Sequence, residues 1–236
     1  MKTLVYKAES RGHADHGWLN AWHSFSFAEY HDPQRVHFGL LRVLNDGTVA
    51  PGMGFGTHPH DNMEIVTIPL EGALEHSDST GGKGVISKNE VQVMSAGSGL
   101  RHSEYNHSKT EPVRLFQIWV FPKLRNVKPG YDQRLFSPDE RINTWQTVAG
   151  GELAKQALRI NQDAYFSLAN LDKGKALGYT PFLNGNGVFI MLISGKVEVA
   201  GELLNRRDAI GITDPENLSV NALEASELLL IEVPMQ

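Results

Sequence analysis

The stretch GFGTHPHDNMEIVTIPLEGALEHSD, residues 54–78, carries the pattern that decides the fold. It opens with glycines and a His-x-His pair, continues in an apolar run from Met63 to Leu70, and reverses at Gly72 into a second run. Two short runs joined by a glycine turn are typical of an antiparallel hairpin. The stretch therefore predicts β structure with histidines at the entrance of a strand.

Short strands between turn residues account for most of the remaining chain. The other strands predicted in the first half are Phe38–Leu44, Ala73–Ser77, Glu90–Met94 and Arg114–Phe121. The first of these is expected to end in a hairpin turn at Asn45-Asp46-Gly47. Only Leu153–Ile160 and Trp18–Trp22 are candidate helices, and the former fits a strand equally well.

The second half of the chain repeats the strand-and-turn pattern of the first half. A segment with two prolines and three basic residues, Pro122–Gly130, is interpreted as a linker, and a strand-Gly-strand unit around Gly195 resembles the unit around Gly72. When these two glycines are aligned, His58 and His60 fall on Pro181 and Leu183, and all ten histidines lie before residue 108. The sequence thus predicts two β-barrel domains, a metal-binding one over residues 1–130 and a metal-free copy over residues 131–236.

Bulk composition excludes several classes of function. The 236 residues suffice to bury a core, and a net charge of -5 with no basic run argues against nucleic-acid binding. The absence of cysteine excludes thiolate metal sites and cysteine nucleophiles. The polar first residues and the lack of a long apolar run predict a cytoplasmic protein with no membrane association.

Two pairs of side chains form a candidate metal site. His58 and His60 are two residues apart, as are His102 and Glu104, and side chains at i and i+2 of a strand share a face. Each pair can therefore converge from one strand. Three imidazoles and a carboxylate suit Fe(II), Mn(II), Ni(II), Cu(II) or Zn(II).

The same residues resemble a known superfamily. Gly52, the His58-x-His60 pair, Glu64 and Gly72 resemble the first cupin motif. Gly99, His102 and Asn106 resemble the second. Two spacings depart from the generic motifs: seven residues separate Glu64 from Gly72, and Gly97 stands where proline is usual.

A narrower resemblance accommodates both departures. The segments RGHADHGWLNAWHSFSFAEYHDP, GFGTHPHDNMEIVTIPLEG, EHSDS, VQVMSAGSGLRHSEYN and FQIW are similar to the pirin family, and most like its bacterial members with quercetin 2,3-dioxygenase activity. The resemblance is specific from Arg11 to about Phe136 and diffuse beyond. It implies an all-β bicupin fold, two packed jelly-roll barrels, with an iron-type metal, Fe(II) foremost, in the N-terminal barrel only. It also implies an oxidoreductase that opens flavonols with O2.

Two questions stay open at this point. The resemblance to pirins makes Glu104 the carboxylate ligand and catalytic base, and strand spacing agrees, whereas many other cupins use the first-motif glutamate, here Glu64. Glu64, Gln117 and Phe55 are then candidates to contact the ligands or line the substrate pocket. The pirin resemblance also allows a metal-binding regulatory protein that acts through a protein partner without flavonol turnover.

Overall fold

The computed structural model describes all 236 residues and contains strands with only two short 3₁₀ turns, at Ala8–Ser10 and Pro138–Arg141. The first twelve strands are β1 (Lys2–Tyr6), β2 (Gly12–Asp15), β3 (Leu19–His23), β4 (Leu41–Val49), β5 (Gly54–His60), β6 (Glu64–Glu71), β7 (Ala73–Asp78), β8 (Lys83–Ser87), β9 (Glu90–Ser95), β10 (Leu100–Asn106), β11 (Val113–Val120) and β12 (Gly130–Leu135). The others are β13 (Gln146–Gly150), β14 (Leu158–Arg159), β15 (Tyr165–Leu171), β16 (Ala176–Tyr179), β17 (Asn186–Ser194), β18 (Lys196–Val199), β19 (Glu202–Asn205), β20 (Ala209–Thr213), β21 (Leu218–Ala222) and β22 (Ser226–Pro234).

Each half is a sandwich of a seven-stranded and a four-stranded sheet. The N-terminal sheets have the orders β12-β9-β6-β11-β4-β3-β2 and β5-β10-β7-β8. The C-terminal sheets have the orders β1-β20-β17-β22-β15-β13-β14 and β16-β21-β18-β19. The two sets correspond strand for strand, so the predicted all-β bicupin fold is confirmed.

The halves exchange their edge strands. β1 pairs with β20 in the C-terminal sheet, and β12 pairs with β9 in the N-terminal sheet. Each large sheet therefore borrows the first strand of the other half, so two strands cross a division drawn at residue 130. That division remains a proposal for where the two units separate.

The two large sheets pack against each other through a shared core. A cluster of 27 buried residues draws on both halves and forms the largest apolar core of the protein. On β11, Phe116, Ile118 and Val120 belong to this core, whereas Gln117 and Trp119 alternate with them and face the interior of the N-terminal barrel. The period-two alternation of the strand thus assigns one face to the interface and the other to a cavity.

The two barrel interiors are filled differently. The C-terminal interior is packed by a cluster of 16 buried hydrophobic residues. The N-terminal interior holds two clusters of four. Apolar side chains fill the second barrel, whereas the first is left open around polar side chains.

Three local predictions were wrong and one turn prediction is confirmed. Asn45-Asp46-Gly47 lies inside β4 because β3 and β11 pair with it on both sides. The candidate helix Trp18–Trp22 is mostly strand β3, and Leu153–Ile160 is a series of turns that ends in β14. Gly72 makes the expected reversal with a φ of 74°, a conformation open to glycine. None of the helical segments is of a length and apolarity that would let it cross a membrane.

Candidate metal centre

Three imidazoles meet where β5 pairs with β10. His58 lies directly opposite His102 in the antiparallel register, and His60 lies opposite Leu100. The Nε2 atoms of His58 and His102 are 2.9 Å apart, and the rings of His60 and His102 have centroids 4.8 Å apart. The structure therefore brings together the three histidines that the spacing nominated.

The hydrogen bonds of His58 leave a free nitrogen aimed at His102. Its Nδ1 lies 2.8 Å from the carbonyl oxygen of Gly56, which can only accept, so the proton is on Nδ1 and Nε2 carries a lone pair. Ligands at adjacent positions of a metal with bonds of about 2.1 Å are roughly 3 Å apart. The spacing of the two Nε2 atoms therefore fits a cation placed between them.

Glu104 is fully enclosed next to these rings. Its Oε2 accepts a hydrogen bond of 2.8 Å from Gln117 Nε2, and its Oε1 has no partner. A buried carboxylate oxygen without a partner is costly, and a metal ion would satisfy it. A bulge between His102 and Glu104 shifts the register with β5, so that Glu104 lies opposite Phe55. The donor set as a whole fits a divalent transition metal.

Burial sets the protonation of these groups when no cation is present. It raises the pKa of Glu104 to about 7, an effect that the hydrogen bond from Gln117 opposes. Burial, followed by the charge of neighbouring histidines, lowers the pKa of His60 to about 4 and that of His102 to about 3. His60 and His102 are therefore neutral at physiological pH, which is the form that binds metals.

A fourth histidine, His76, lies next to His102 on the side away from His58. His76 on β7 lies opposite Glu104, and its Nδ1 is 3.5 Å from His102 Nδ1. His76, His102 and Glu104 form a second group of potential ligands that shares two members with the predicted set. His76 Nε2 is bonded to Asp78 Oδ2 at 2.9 Å, which commits one of its two nitrogens elsewhere.

An apolar cavity of about 450 Å³ opens above the imidazoles. Its walls include Phe55, whose ring meets Trp18 edge-on at 5.2 Å, and Trp119, whose ring lies 4.9 Å from that of His60. A volume in this range and a mostly apolar lining are typical of small-molecule sites. Gln117 also lines the cavity, with its Oε1 held at 3.1 Å by Thr67 Oγ1. Phe55 and Gln117 therefore line the same cavity as the candidate ligands.

Glu64 lies elsewhere, and its assignment to the pocket was wrong. It is fully buried at the interface of the two halves, where Oε2 accepts from Ser95 Oγ at 2.6 Å and from the backbone N of Asn161 at 2.9 Å. On β6 it shares a face with Val66, which belongs to the core between the sheets. The turn with Asn62 at a φ of 43° separates Glu64 from His60, so strand parity does not extend from one to the other.

Some residues that line the cavity were not predicted from the sequence. His23 and Asn45 both line the cavity and bond to each other at 2.7 Å between Nδ1 and Oδ1. Asn45 was missed because its Asn-Asp-Gly context predicts a turn, and His23 because it lies in an arm rich in histidines. Of the phenylalanines near the arm, Phe27 reaches the cavity, whereas Phe25 and Phe38 belong to the core between the halves.

Comparison with known proteins agrees with this geometry. The Pirin family profile matches residues 5–120, and that of the quercetinase C-terminal cupin domain matches residues 147–233. The chain is 41% identical over 233 residues to the quercetin 2,3-dioxygenase of Escherichia coli K12, covering 98% of this chain and 99% of the relative. It is 43% identical over 222 residues to a pirin-like protein of Caulobacter vibrioides, and the match covers 94% of this chain and 95% of the relative.

A solved structure extends the likeness to three dimensions. The crystal structure of the bacterial pirin YhhW of Escherichia coli in complex with nickel(II) matches with a TM-score of 0.93 and 40% identity, covering 99% of each chain. Likeness at this level over both barrels, together with the family profiles, settles the classification. The chain belongs to the pirin family.

Proposed function

We propose that this protein is a metal-dependent dioxygenase that opens the ring of flavonols such as quercetin. The observation that carries the proposal is the convergence of three imidazoles at one end of an apolar cavity, with the buried Glu104 carboxylate beside His102. The name of the Escherichia coli relative, quercetin 2,3-dioxygenase, supports the choice of reaction.

His58, His60, His102 and Glu104 would hold the metal. We propose Fe(II), and the same donors suit Mn(II), Ni(II), Cu(II) and Zn(II). The nickel(II) in the related Escherichia coli pirin supports a divalent ion at such a site. When bound, the metal supplies Lewis acidity and open coordination positions for oxygen atoms of the reactants.

The cavity walls would bind and orient the flavonol. Trp18, Phe55 and Trp119 present flat aromatic surfaces on which planar rings can stack or pack edge-on. Burying these surfaces excludes water from the reacting atoms. The proposed reaction takes one flavonol and one O2. Both oxygen atoms of O2 enter the ring-opened ester, and the ring carbon that carries the 3-oxygen leaves as carbon monoxide.

Glu104 would take the proton of the flavonol 3-hydroxyl group. Its Oε1 has no protein partner, while Gln117 holds Oε2 at 2.8 Å and so fixes the carboxylate plane. A general base must reach the proton it takes through a hydrogen bond, and the unpartnered Oε1 is the carboxylate oxygen available for that contact. Gln117 therefore acts as a positioning residue for the base.

Oxygen consumption tests the reaction. The metal-loaded protein should consume O2 when quercetin is added, and a chelator should abolish the consumption. His102→Ala should lose most bound metal and activity because it removes one of the ligands. His107→Ala is the matched control, since His107 is exposed on the surface and paired with Glu75. Metal-loaded wild type that consumes no O2 with several flavonols would overturn the proposal in favour of a regulatory metal-binding protein.

Glu104→Gln separates the two roles of the carboxylate. The amide oxygen can still ligate, so some metal should remain bound, whereas the amide cannot accept the substrate proton. We expect turnover to fall by about two orders of magnitude or more, the usual contribution of general-base catalysis. Undiminished turnover in this variant would exclude Glu104 as the base.

A further inference from the structure

We propose that His23 and Asn45 form a hydrogen-bonding pair that recognises a hydroxyl group on the outer rings of the substrate, away from the metal. This role rests on the flavonol substrate proposed above and restricts it to flavonols that carry such a hydroxyl group. Both side chains are buried and line the cavity. Neither one belongs to the proposed ligand set or contributes to the base.

The pair lies on a wall of the cavity that is otherwise apolar. Apart from the proposed ligands and Gln117, His23 and Asn45 are the only lining residues with a strongly polar side chain. Their neighbours on this wall include Ala21 and Phe27. A polar group in such surroundings is costly unless it finds a partner. The few polar groups of an apolar cavity are therefore the ones that orient a ligand and give specificity.

Strand register places the pair in one row with the proposed base. Asn45 on β4 lies opposite His23 on one side and opposite Gln117 on the other, and directly opposed residues share a face of the sheet. Gln117 is in turn bonded to Glu104. Because adjacent strands are about 4.8 Å apart, the row extends roughly 10 Å from Gln117 to His23. A flavonol whose 3-oxygen lies near Glu104 can therefore extend its outer rings along this row to the pair.

The contact between the two side chains determines what each one offers to a ligand. Asn45 Oδ1 is an amide oxygen and can only accept, so His23 Nδ1 donates to it, at 2.7 Å. Burial lowers the pKa of His23, so the ring is neutral and its Nε2 carries a lone pair. Neither His23 Nε2 nor Asn45 Nδ2 is bonded to another protein atom. The pair thus presents one acceptor and one donor, and a phenolic hydroxyl group can satisfy both.

The N-terminal arm holds the His23 ring in place. Phe27 packs against it with a centroid distance of 5.3 Å, and Phe27 itself meets Trp119 edge-on at 5.4 Å. On the neighbouring strand, Gly12 lies opposite His23, and the ring of Tyr30 occupies the space that a side chain at Gly12 would need. The acceptor is therefore positioned before the ligand arrives, which lowers the entropic cost of binding.

A comparison of quercetin with 3-hydroxyflavone isolates the outer hydroxyl groups of the ligand. Both compounds carry the 3-hydroxyl group, and 3-hydroxyflavone lacks all the others. A hydroxyl group that is buried without a partner opposes binding, whereas one that is hydrogen-bonded favours it. An apolar cavity without the pair would therefore prefer 3-hydroxyflavone, and the pair reverses that preference.

Calorimetric titration of the nickel(II)-loaded protein under argon measures the dissociation constants of both flavonols without turnover. Wild type should bind quercetin about tenfold more tightly than 3-hydroxyflavone. Asn45→Leu and His23→Phe each keep the approximate size of the side chain but remove its hydrogen bonds. They should abolish or reverse the preference for quercetin and leave nickel affinity unchanged. His31→Phe, the same change at an exposed position of the arm, is the control and should keep the wild-type preference.

An undiminished preference for quercetin in both folded variants would overturn the proposal. Equal affinity of wild type for the two flavonols would overturn it without any substitution, so the test stands even if neither variant folds. Wild type that prefers quercetin but consumes no O2 would refute the dioxygenase and leave the role of the pair intact. Wild type that binds neither flavonol would refute both.

Discussion

At the scale of single residues, Glu104 has the most unusual electrostatic position in the protein. A fully buried carboxylate that neighbours neutral imidazoles is disfavoured in its charged form, and this raises its pKa from 4.5 to about 7 without metal. Between these values the native protein keeps a proton that the unfolded chain has lost. The contribution of Glu104 to the free energy of unfolding is therefore present at low pH and lost as pH rises toward 7.

Glu104→Gln should abolish this loss, since glutamine does not titrate. Measured by urea unfolding with a chelator present, the variant should gain stability relative to wild type between about pH 5 and about pH 8, on the order of 3 kcal/mol. His60 and His102 titrate in both proteins, so the difference isolates Glu104. An equal difference at both pH values would show that the carboxylate is ionised in the metal-free native state.

At the scale of elements, β4 provides the back wall of the cavity. Asn45, Gly47 and Val49 alternate toward the interior, and Gly47 leaves space where any other residue would project a side chain. A Cβ atom added there would meet nothing closer than 3.9 Å, at Leu19 Cδ1. The missing side chain at Gly47 thus contributes directly to the cavity volume.

Gly47→Leu should fill that volume without touching the ligands. We expect nickel affinity to stay at the wild-type value while KM for quercetin rises about tenfold, a loss of about 1.4 kcal/mol of binding. Gly47→Ala, which adds a single methyl group into open space, is the control and should change KM little. Wild-type KM in Gly47→Leu would mean that the flavonol does not bind in this cavity.

Individual strands also show which features of the site could be predicted from the sequence. Strand parity predicted that His58 and His60 share a face, because two-residue spacing within a strand is a local rule. The pairing of β5 with β10, which brings His102 opposite His58, is not local. The same kind of rule failed at Asn45-Asp46-Gly47, where pairing with strands on both sides overrides the local turn preference. The rule does not extend from His60 to Glu64, because a turn between β5 and β6 reassigns which face points inward.

The whole molecule is tied together by features that leave little trace in sequence. No local pattern indicates that β1 and β12 pair outside their own halves, because an edge strand carries the same alternation wherever it docks. The consequence is a shared core in which Tyr6 of β1 packs against Phe25 of the first half and Phe189 of the second, at 5.9 Å and 5.2 Å between ring centroids. The two barrels should therefore unfold as one unit.

Tyr6→Ala tests this coupling. Removing a large buried ring should cost about 3 kcal/mol and shift a single calorimetric transition of the entire protein to lower temperature. Leu4→Ala, on the same strand but 55% exposed, should have an effect within about 0.5 kcal/mol. Two separated transitions, of which only one moves in Tyr6→Ala, would contradict the shared core.

The central claim is that one metal binds, in the N-terminal barrel, to His58, His60, His102 and Glu104. Anomalous diffraction from crystals of the metal-loaded protein measures this directly. The account predicts a single peak within about 2.0–2.3 Å of three imidazole nitrogens and a Glu104 oxygen. A peak coordinated by His76, a peak beside Glu64, or a peak in the C-terminal barrel would contradict it.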